Sequence, residues 1–214
     1  MLLIFDWDGT LVDSRDHIVS AMQGAMAQQQ LPVKSESACA RMIGLSLVDI
    51  FERFYTDQSS KQCAEFIESY SSHFAALAGT GFSSLFSNIE STLIELKQRG
   101  HALAVATGKS RRGLNIGFES TGISHLFMAS RTADETAPKP SPKMIDELLI
   151  ETGYAKSDVV MIGDTSFDLD MASRAGVKSV GVSYGVHSVD DLEVHNPLCI
   201  VECPLQLLEL ALLD

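Results

Sequence analysis

Basic residues are scarce in this chain: 16 Lys and Arg stand against 28 Asp and Glu over 214 residues, a net charge of −12. A surface of that sign repels phosphate backbones and anionic lipid, which argues against nucleic acid and membrane partners. Long apolar runs are missing too. The opening run Leu2-Leu3-Ile4-Phe5 stops at Asp6, too short for the core of a secretory signal, and no later stretch approaches a membrane span. A cytoplasmic location is expected. Cysteine is sparse: Cys39, Cys63, Cys199 and Cys203 lack the paired spacing of a metal finger and read as reduced core thiols. No internal repeat or low-complexity tract is present. What the chain does have is apolar material, 45% of its residues, ample for one domain or for a domain carrying an inserted module.

The opening apolar run reads as a buried strand, and it delivers Asp6 and then Asp8, Gly9 and Thr10 at its carboxyl end. Open α/β sheets bind ligands at that edge. Two like charges about 4 Å apart repel by roughly 4 kcal/mol at an effective dielectric near 20, so an ionised pair there calls for a divalent cation or a lysine. Hard oxygen ligands favour Mg²⁺. Asp and Gly are also ordinary turn residues, and a plain strand-to-turn junction accounts for the pair equally well at this point.

After Thr10 the period changes. Asp13 or Ser14 is positioned as an N-cap, with Ile18, Ala21, Met22, Ala25 and Met26 at helical spacing. Further helices are expected over Leu45–Tyr55 and Cys63–Leu77, the latter with Phe66, Tyr70, Phe74 and Leu77 in a stripe that reads as core. No strand is expected over residues 15–78. Gly79-Thr80-Gly81 and the Ser-rich stretch to Ser87 read as a hinge. From there helices and strands alternate. Helices are placed at Ile89–Arg99, Arg111–Ser120, Pro142–Thr152 and Phe167–Arg174, with strands at His101–Ala106, Leu126–Ala129, Val159–Ile162, Ser179–Val182 and Cys199–Val201 and a last helix after Pro204. Such alternation implies an α/β fold: a Rossmann-like parallel sheet with helices on both faces. The all-helical insertion leaves the carboxyl end of the first strand and must lie over Asp6 and Asp8 as a lid. The expected division is a core of residues 1–14 and 82–214 with a helical cap of residues 15–81.

Three more segments bring polar residues to that edge. Thr107-Gly108-Lys109-Ser110 offers a hydroxyl and backbone N–H groups before a helix, an anion cradle or a plain helix cap. Pro138-Lys139-Pro140 holds a lysine in stiff backbone, where a solvated lysine would be ordinary. Val159–Ile162 runs into Gly163-Asp164, with Asp168 in the first turn of a helix, where acids commonly serve the dipole. Together they give one edge four acids, a hydroxyl and a lysine, a mix suited to a metal and a phosphoryl group.

With these segments in order, the chain resembles the haloacid dehalogenase-like hydrolase superfamily over its whole length. Asp6-Trp7-Asp8-Gly9-Thr10-Leu11-Val12-Asp13-Ser14 is similar to its first motif, Thr107 to its second, Lys139 to its third, and Gly163-Asp164 with Asp168 to its fourth. The resemblance implies phosphoryl transfer with Asp6 as nucleophile and Asp8 as general acid and base. It implies Mg²⁺ held by Asp6, the Asp8 backbone carbonyl and Asp164, phosphate binding by Thr107 and Gly108, charge compensation by Lys139, and a supporting role for Asp168. The implied substrate is a small phosphorylated metabolite, and the implied assembly a monomer or weak homodimer.

Asp8 speaks against the dehalogenase branch, which needs no acid for an alkoxide. Lys34 and Lys61, the lysines between Thr10 and Gly79, lie in no apolar pattern that would suit a Schiff base. Arg41-Met42-Ile43-Gly44-Leu45-Ser46-Leu47 looks most like the phosphoglycolate phosphatase and pyrophosphatase relatives, making Arg41 and Gly44 candidates for substrate contact; a surface Arg and a helix-stop Gly are the plain alternatives. The same holds for Arg111 and Arg112 after the cradle. Leu85-Phe86-Ser87-Asn88-Ile89 departs from the Tyr-Pro-Gly-Val pattern of many relatives. Sugar-phosphate mutases of the beta-phosphoglucomutase kind and inorganic pyrophosphatases remain alternatives. A phosphoacceptor signalling module is disfavoured, because its acceptor acid lies on an internal strand without a large insertion.

Overall fold

A computed structural model describes residues 1–77 and 84–210. The chain begins with β1 (Leu2–Phe5) and β2 (Val12–Asp13), then runs through α1 (Arg15–Gln28), α2 (Glu36–Ala40), α3 (Leu47–Phe54) and α4 (Ser60–Ala76). It continues with β3 (Ser84–Leu85), α5 (Ile89–Gln98), β4 (Ala102–Thr107), α6 (Arg111–Thr121), β5 (Ala129–Thr132), α7 (Lys143–Thr152), β6 (Val159–Gly163) and α8 (Ser166–Ala175). It closes with β7 (Lys178–Val182), α9 (Val189–Glu193) and β8 (Ile200–Val201).

Six strands form one parallel sheet in the order β5-β4-β1-β6-β7-β8. Strand alternation splits the apolar residues of β1 between two cores. Leu3 and Phe5 pack with Leu93 and Leu96 of α5 and Leu114 of α6, whereas Leu2 and Ile4 pack with Leu148 of α7 and Met171 of α8. The sheet is thus covered on both faces, as the β/α rhythm predicts. A third core, built on Met22, Met26, Ile50, Phe51 and Phe66, lies among α1, α3 and α4 and holds those helices together apart from the sheet. Among the described residues no helix is long and apolar enough to cross a membrane.

The register positions the site. Phe5 stands level with Val105 and with Ile162, so Asp6, Thr107 and Asp164 leave the sheet at one edge. Trp7 turns the other way, buried against Phe118 with ring centroids 5.0 Å apart, and anchors the loop to α6.

Several elements differ from the sequence reading. The strand expected at Leu126–Ala129 is displaced to Ala129–Thr132, because Gly122 ends α6 in a left-handed turn and Ile123–Leu126 coils into a 3-10 turn whose Ile123 and Leu126 fill the core. Apolar content there reports burial, not strand. The helix expected after Pro204 is present as a 3-10 helix over Pro204–Glu209. The two-residue ladder of β2 with β3 and the short helices α2 and α9 carry too few residues to show a period. Ser14 stands at the N-cap of α1, yet its side chain makes no capping bond. The Gly79-Thr80-Gly81 hinge and the division after residue 81 lie outside the described residues.

Candidate active site

Burial sets the electrostatics of the edge. Asp6, Lys139, Asp164 and Asp168 are all within 1% of full burial. The Lys139 ammonium lies 2.7 Å from Asp6 Oδ1 and 2.6 Å from Asp168 Oδ1. Burial alone would drive that ammonium toward its neutral form, but the Asp168 and Asp6 carboxylates outweigh it and hold its pKa above the ordinary lysine value. Flanked by two prolines, Lys139 is the one cation in this buried cluster among the described residues, and not the solvated residue that would be ordinary for its sequence context.

Two carboxylates pair with that ammonium and a third, Asp164, lies close to both. Asp164 Oδ1 accepts from the Thr10 hydroxyl at 2.8 Å and Oδ2 from the Val186 N–H at 2.9 Å. Asp168 Oδ2 accepts from the Thr165 N–H and hydroxyl at 3.1 and 2.7 Å, closing a capping box on α8. Both Asp168 oxygens are therefore committed, one to α8 and one to Lys139. Asp6 Oδ2, by contrast, has no hydrogen-bond partner among the described residues. Desolvation, reinforced by Asp168 and Asp8 and opposed by Lys139, pushes the Asp6 carboxyl up to about 7, and burial with the Asp6 and Asp168 charges raises Asp164 well above its ordinary value. Surplus negative charge at a solvent-poor edge is what a divalent cation relieves.

The donor set fits such an ion. Asp6 and Asp164, whose carboxylate oxygens lie within 4.8 Å of each other and of Asp168, are hard ligands of the kind Mg²⁺ takes. The orphaned Asp6 Oδ2 supplies an open coordination position. Backbone bareness makes room: Gly9, at φ +80°, would place a Cβ 2.1 Å from Asp164 Oδ2.

Asp8 stands apart from this cluster. Its carboxylate receives both Lys109 Nζ, at 2.9 Å from each oxygen, and the Ser14 hydroxyl, at 2.6 Å from Oδ1. Lys109 in turn lies 5.1 Å from the Phe74 ring centroid of α4. Lys109 and Ser14 carry this contact, although in the sequence they read only as the cradle's lysine and an N-cap. The signal that could have found them is Lys109's place two residues after Thr107 and Ser14's place at the end of the first motif.

Thr107 is buried at the end of β4, and Gly108 follows it directly beneath the loop between α2 and α3: a Cβ on Gly108 would come 2.4 Å from the Gly44 carbonyl oxygen. Gly44, at φ +100°, also lies against Thr165, so the loop between α2 and α3 sits down between two motifs of the core. Arg41 is placed elsewhere. It is exposed at the end of α2, its carbonyl 3.2 Å from His187 Nε2, and it does not line the chamber above the acids. Arg111 is spoken for by Glu135 and Ser130, whereas exposed Arg112 reaches the chamber rim. Asp6, Asp8, Thr107, Gly108, Lys109 and Gly44 all line that chamber, whose volume is about 660 Å³.

The parallel sheet with its acids, hydroxyl and lysine at one edge defines a hydrolase class, and comparison names it. The family model described as haloacid dehalogenase-like hydrolase matches residues 3–182, and the chain belongs to that family. It is 33% identical over 204 residues to "Probable phosphatase IndB" of Dickeya dadantii, covering 94% of this chain and 89% of that protein. It is 29% identical over 205 residues to "Phosphoglycolate phosphatase" of Pectobacterium atrosepticum, covering 94% and 87%. The crystal structure of a hydrolase from Pseudomonas syringae superposes with a TM-score of 0.89 at 23% identity, over 98% of this chain and 96% of that one, a likeness of fold.

Proposed function

We propose that this chain is a Mg²⁺-dependent phosphomonoester hydrolase of the phosphoglycolate phosphatase type, acting on a small phosphorylated metabolite through an aspartyl-phosphate on Asp6. The observation that carries the reading is the Asp6 carboxylate, one oxygen paired with Lys139 at 2.7 Å and the other without a hydrogen-bond partner among the described residues, on the floor of a chamber it shares with Thr107 and Gly108. The phosphatase names of the relatives support it.

Asp6 attacks phosphorus and takes the phosphoryl group, while the Thr107 hydroxyl and the Gly108 N–H donate to its oxygens. Lys139 holds Asp6 in place and offsets the charge that gathers as carboxylate and phosphate meet. Asp8 gives its proton to the departing alkoxide and then takes one from the water that cleaves the acyl phosphate. Ser14 and Lys109 orient it. Asp168 acts through Lys139 and α8. When bound by Asp6, Asp164 and the Asp8 carbonyl, Mg²⁺ supplies positive charge that lets like charges approach.

The purified protein with Mg²⁺ should hydrolyse 4-nitrophenyl phosphate, lose that activity in EDTA, and show a phosphorylated Asp6 peptide after acid quench. Failure to turn over any member of a broad phosphomonoester panel defeats the proposal.

A further inference from the structure

The chamber above Asp6 is larger and far less polar than a glycolate or a second phosphate requires. Its volume of about 660 Å³ falls within the roughly 300–1,000 Å³ typical of sites that enclose drug-sized ligands. Its walls come mainly from the cap: Ile18 and Met22 of α1, Ile43 of the loop before α3, and Ile67, Tyr70 and Phe74 of α4. The α4 stripe is divided in two. Phe66 is buried in the helical core, whereas Tyr70 and Phe74, one and two turns on, are only partly buried and face the chamber.

Charge on the walls is equally telling. Phosphoglycolate bears a carboxylate beyond its phosphate, and pyrophosphate and sugar bisphosphates bear a second phosphate; each needs a cation away from the Asp6 floor. Among the described residues only Lys109 and Arg112 line the chamber as cations. Lys109 is bound to both Asp8 oxygens, and Arg112 is exposed at the rim. Asp49 and Asp134 add negative charge to the lining, and Arg41 is absent from it. A second anionic group would thus lose its hydration and meet no partner, at a cost that apolar walls do not return.

We propose that the substrate is the phosphomonoester of an uncharged, predominantly apolar alcohol or phenol, whose organic part fills the cap chamber while its phosphate rests on Asp6, Thr107 and Gly108. This rests on the phosphomonoesterase reading of the same site. The reaction is ordinary hydrolysis: the P–O bond to the organic group breaks, the phosphoryl passes to Asp6 and then to water, and the alcohol leaves with the proton from Asp8.

The test compares kcat/KM, with saturating Mg²⁺, for ethyl, butyl and hexyl phosphate and 1-naphthyl phosphate against phosphoglycolate and pyrophosphate. The alkyl series should rise by about three- to fourfold for each methylene that enters the chamber. 1-Naphthyl phosphate should exceed phosphoglycolate by on the order of 100-fold, the gain from burying an aromatic group. Ser71, exposed on α4 yet part of the lining, provides a variant that spares the packing. Ser71→Arg should lower the naphthyl-to-glycolate preference at least tenfold. A flat alkyl series, or phosphoglycolate or pyrophosphate as the better substrate, overturns the apolar assignment and leaves the phosphatase standing. Loss of turnover on every ester instead defeats the phosphatase reading itself.

Discussion

Replacing Asp6 by Asn should make the metal-free protein more stable as it abolishes turnover. Charge sets the effect: two buried carboxylates share the Lys139 ammonium with the Asp164 carboxylate close by, and Asp6 is pushed up to about 7 in the fold against 3.8 as a free side chain. Between those values the folded protein holds a proton that the unfolded chain has released, so stability falls as pH rises through the window. About three pH units at ~1.4 kcal/mol each amount to about 4 kcal/mol lost by pH 8. Asn carries no charge and escapes that loss. In EDTA, urea unfolding at pH 4 should give wild type and Asp6→Asn similar stabilities, whereas at pH 8 the variant should lead by about 2–4 kcal/mol, a Tm gain on the order of 10 °C for a chain of this size. Added Mg²⁺ should close the gap, since an ion that binds the native carboxylate stabilises wild type more. Parallel pH profiles for the two proteins, or a less stable variant at pH 8, would refute the account of the site as an overcharged cluster awaiting a cation.

Two further outcomes follow from other contacts. Gly108→Ala sets a methyl 2.4 Å from the Gly44 carbonyl and 2.8 Å from the Leu45 carbonyl, so the cap loop must lift: kcat/KM should fall at least tenfold with Tm nearly unchanged, and wild-type kinetics would contradict the close seating of the loop. Hydrogen bonds from Arg111 hold the Glu135 carboxyl at about 2, below its ordinary 4.5, so the pair's contribution is complete above pH 4.5 and is lost as pH falls toward 2. Because the pair is partly exposed, that contribution is about 1 kcal/mol or less. Glu135→Gln should flatten the Tm difference between pH 5 and pH 3, and an unaltered difference would assign the acid limb to other groups.

What could be read in the sequence followed from period and order. Four apolar residues ahead of Asp6, and helices stopped by Gly153 and Gly176, were enough for the parallel sheet, because each element buries a face with its own repeat. Asp6, Lys139 and Asp164 sit at strand ends or in the loops beside them and Asp168 in the first turn of α8, and the sheet brings them together from far apart in the chain. Placement that depends on side-chain reach was not legible. Lys109 finds Asp8 across 101 positions, and Arg41 is absent from the chamber lining, its charge acting on Asp191 instead. Nor could a stripe of aromatics declare that its first member is core and its later ones are wall, since both look alike until a neighbouring helix is present or missing.

The helices over the sheet have a core of their own, and it shares no residue with the two that flank β1. A substitution at Met22 or Ile67 therefore reshapes the chamber wall through this helical core, which touches the sheet's side at Phe167 and Val186, and not through the cores that position the acids. On the proposed reading, selection can exchange one substrate for another by editing the roof, with the acidic edge inherited unchanged. In such a molecule, what is cut and how it is cut are separately heritable traits.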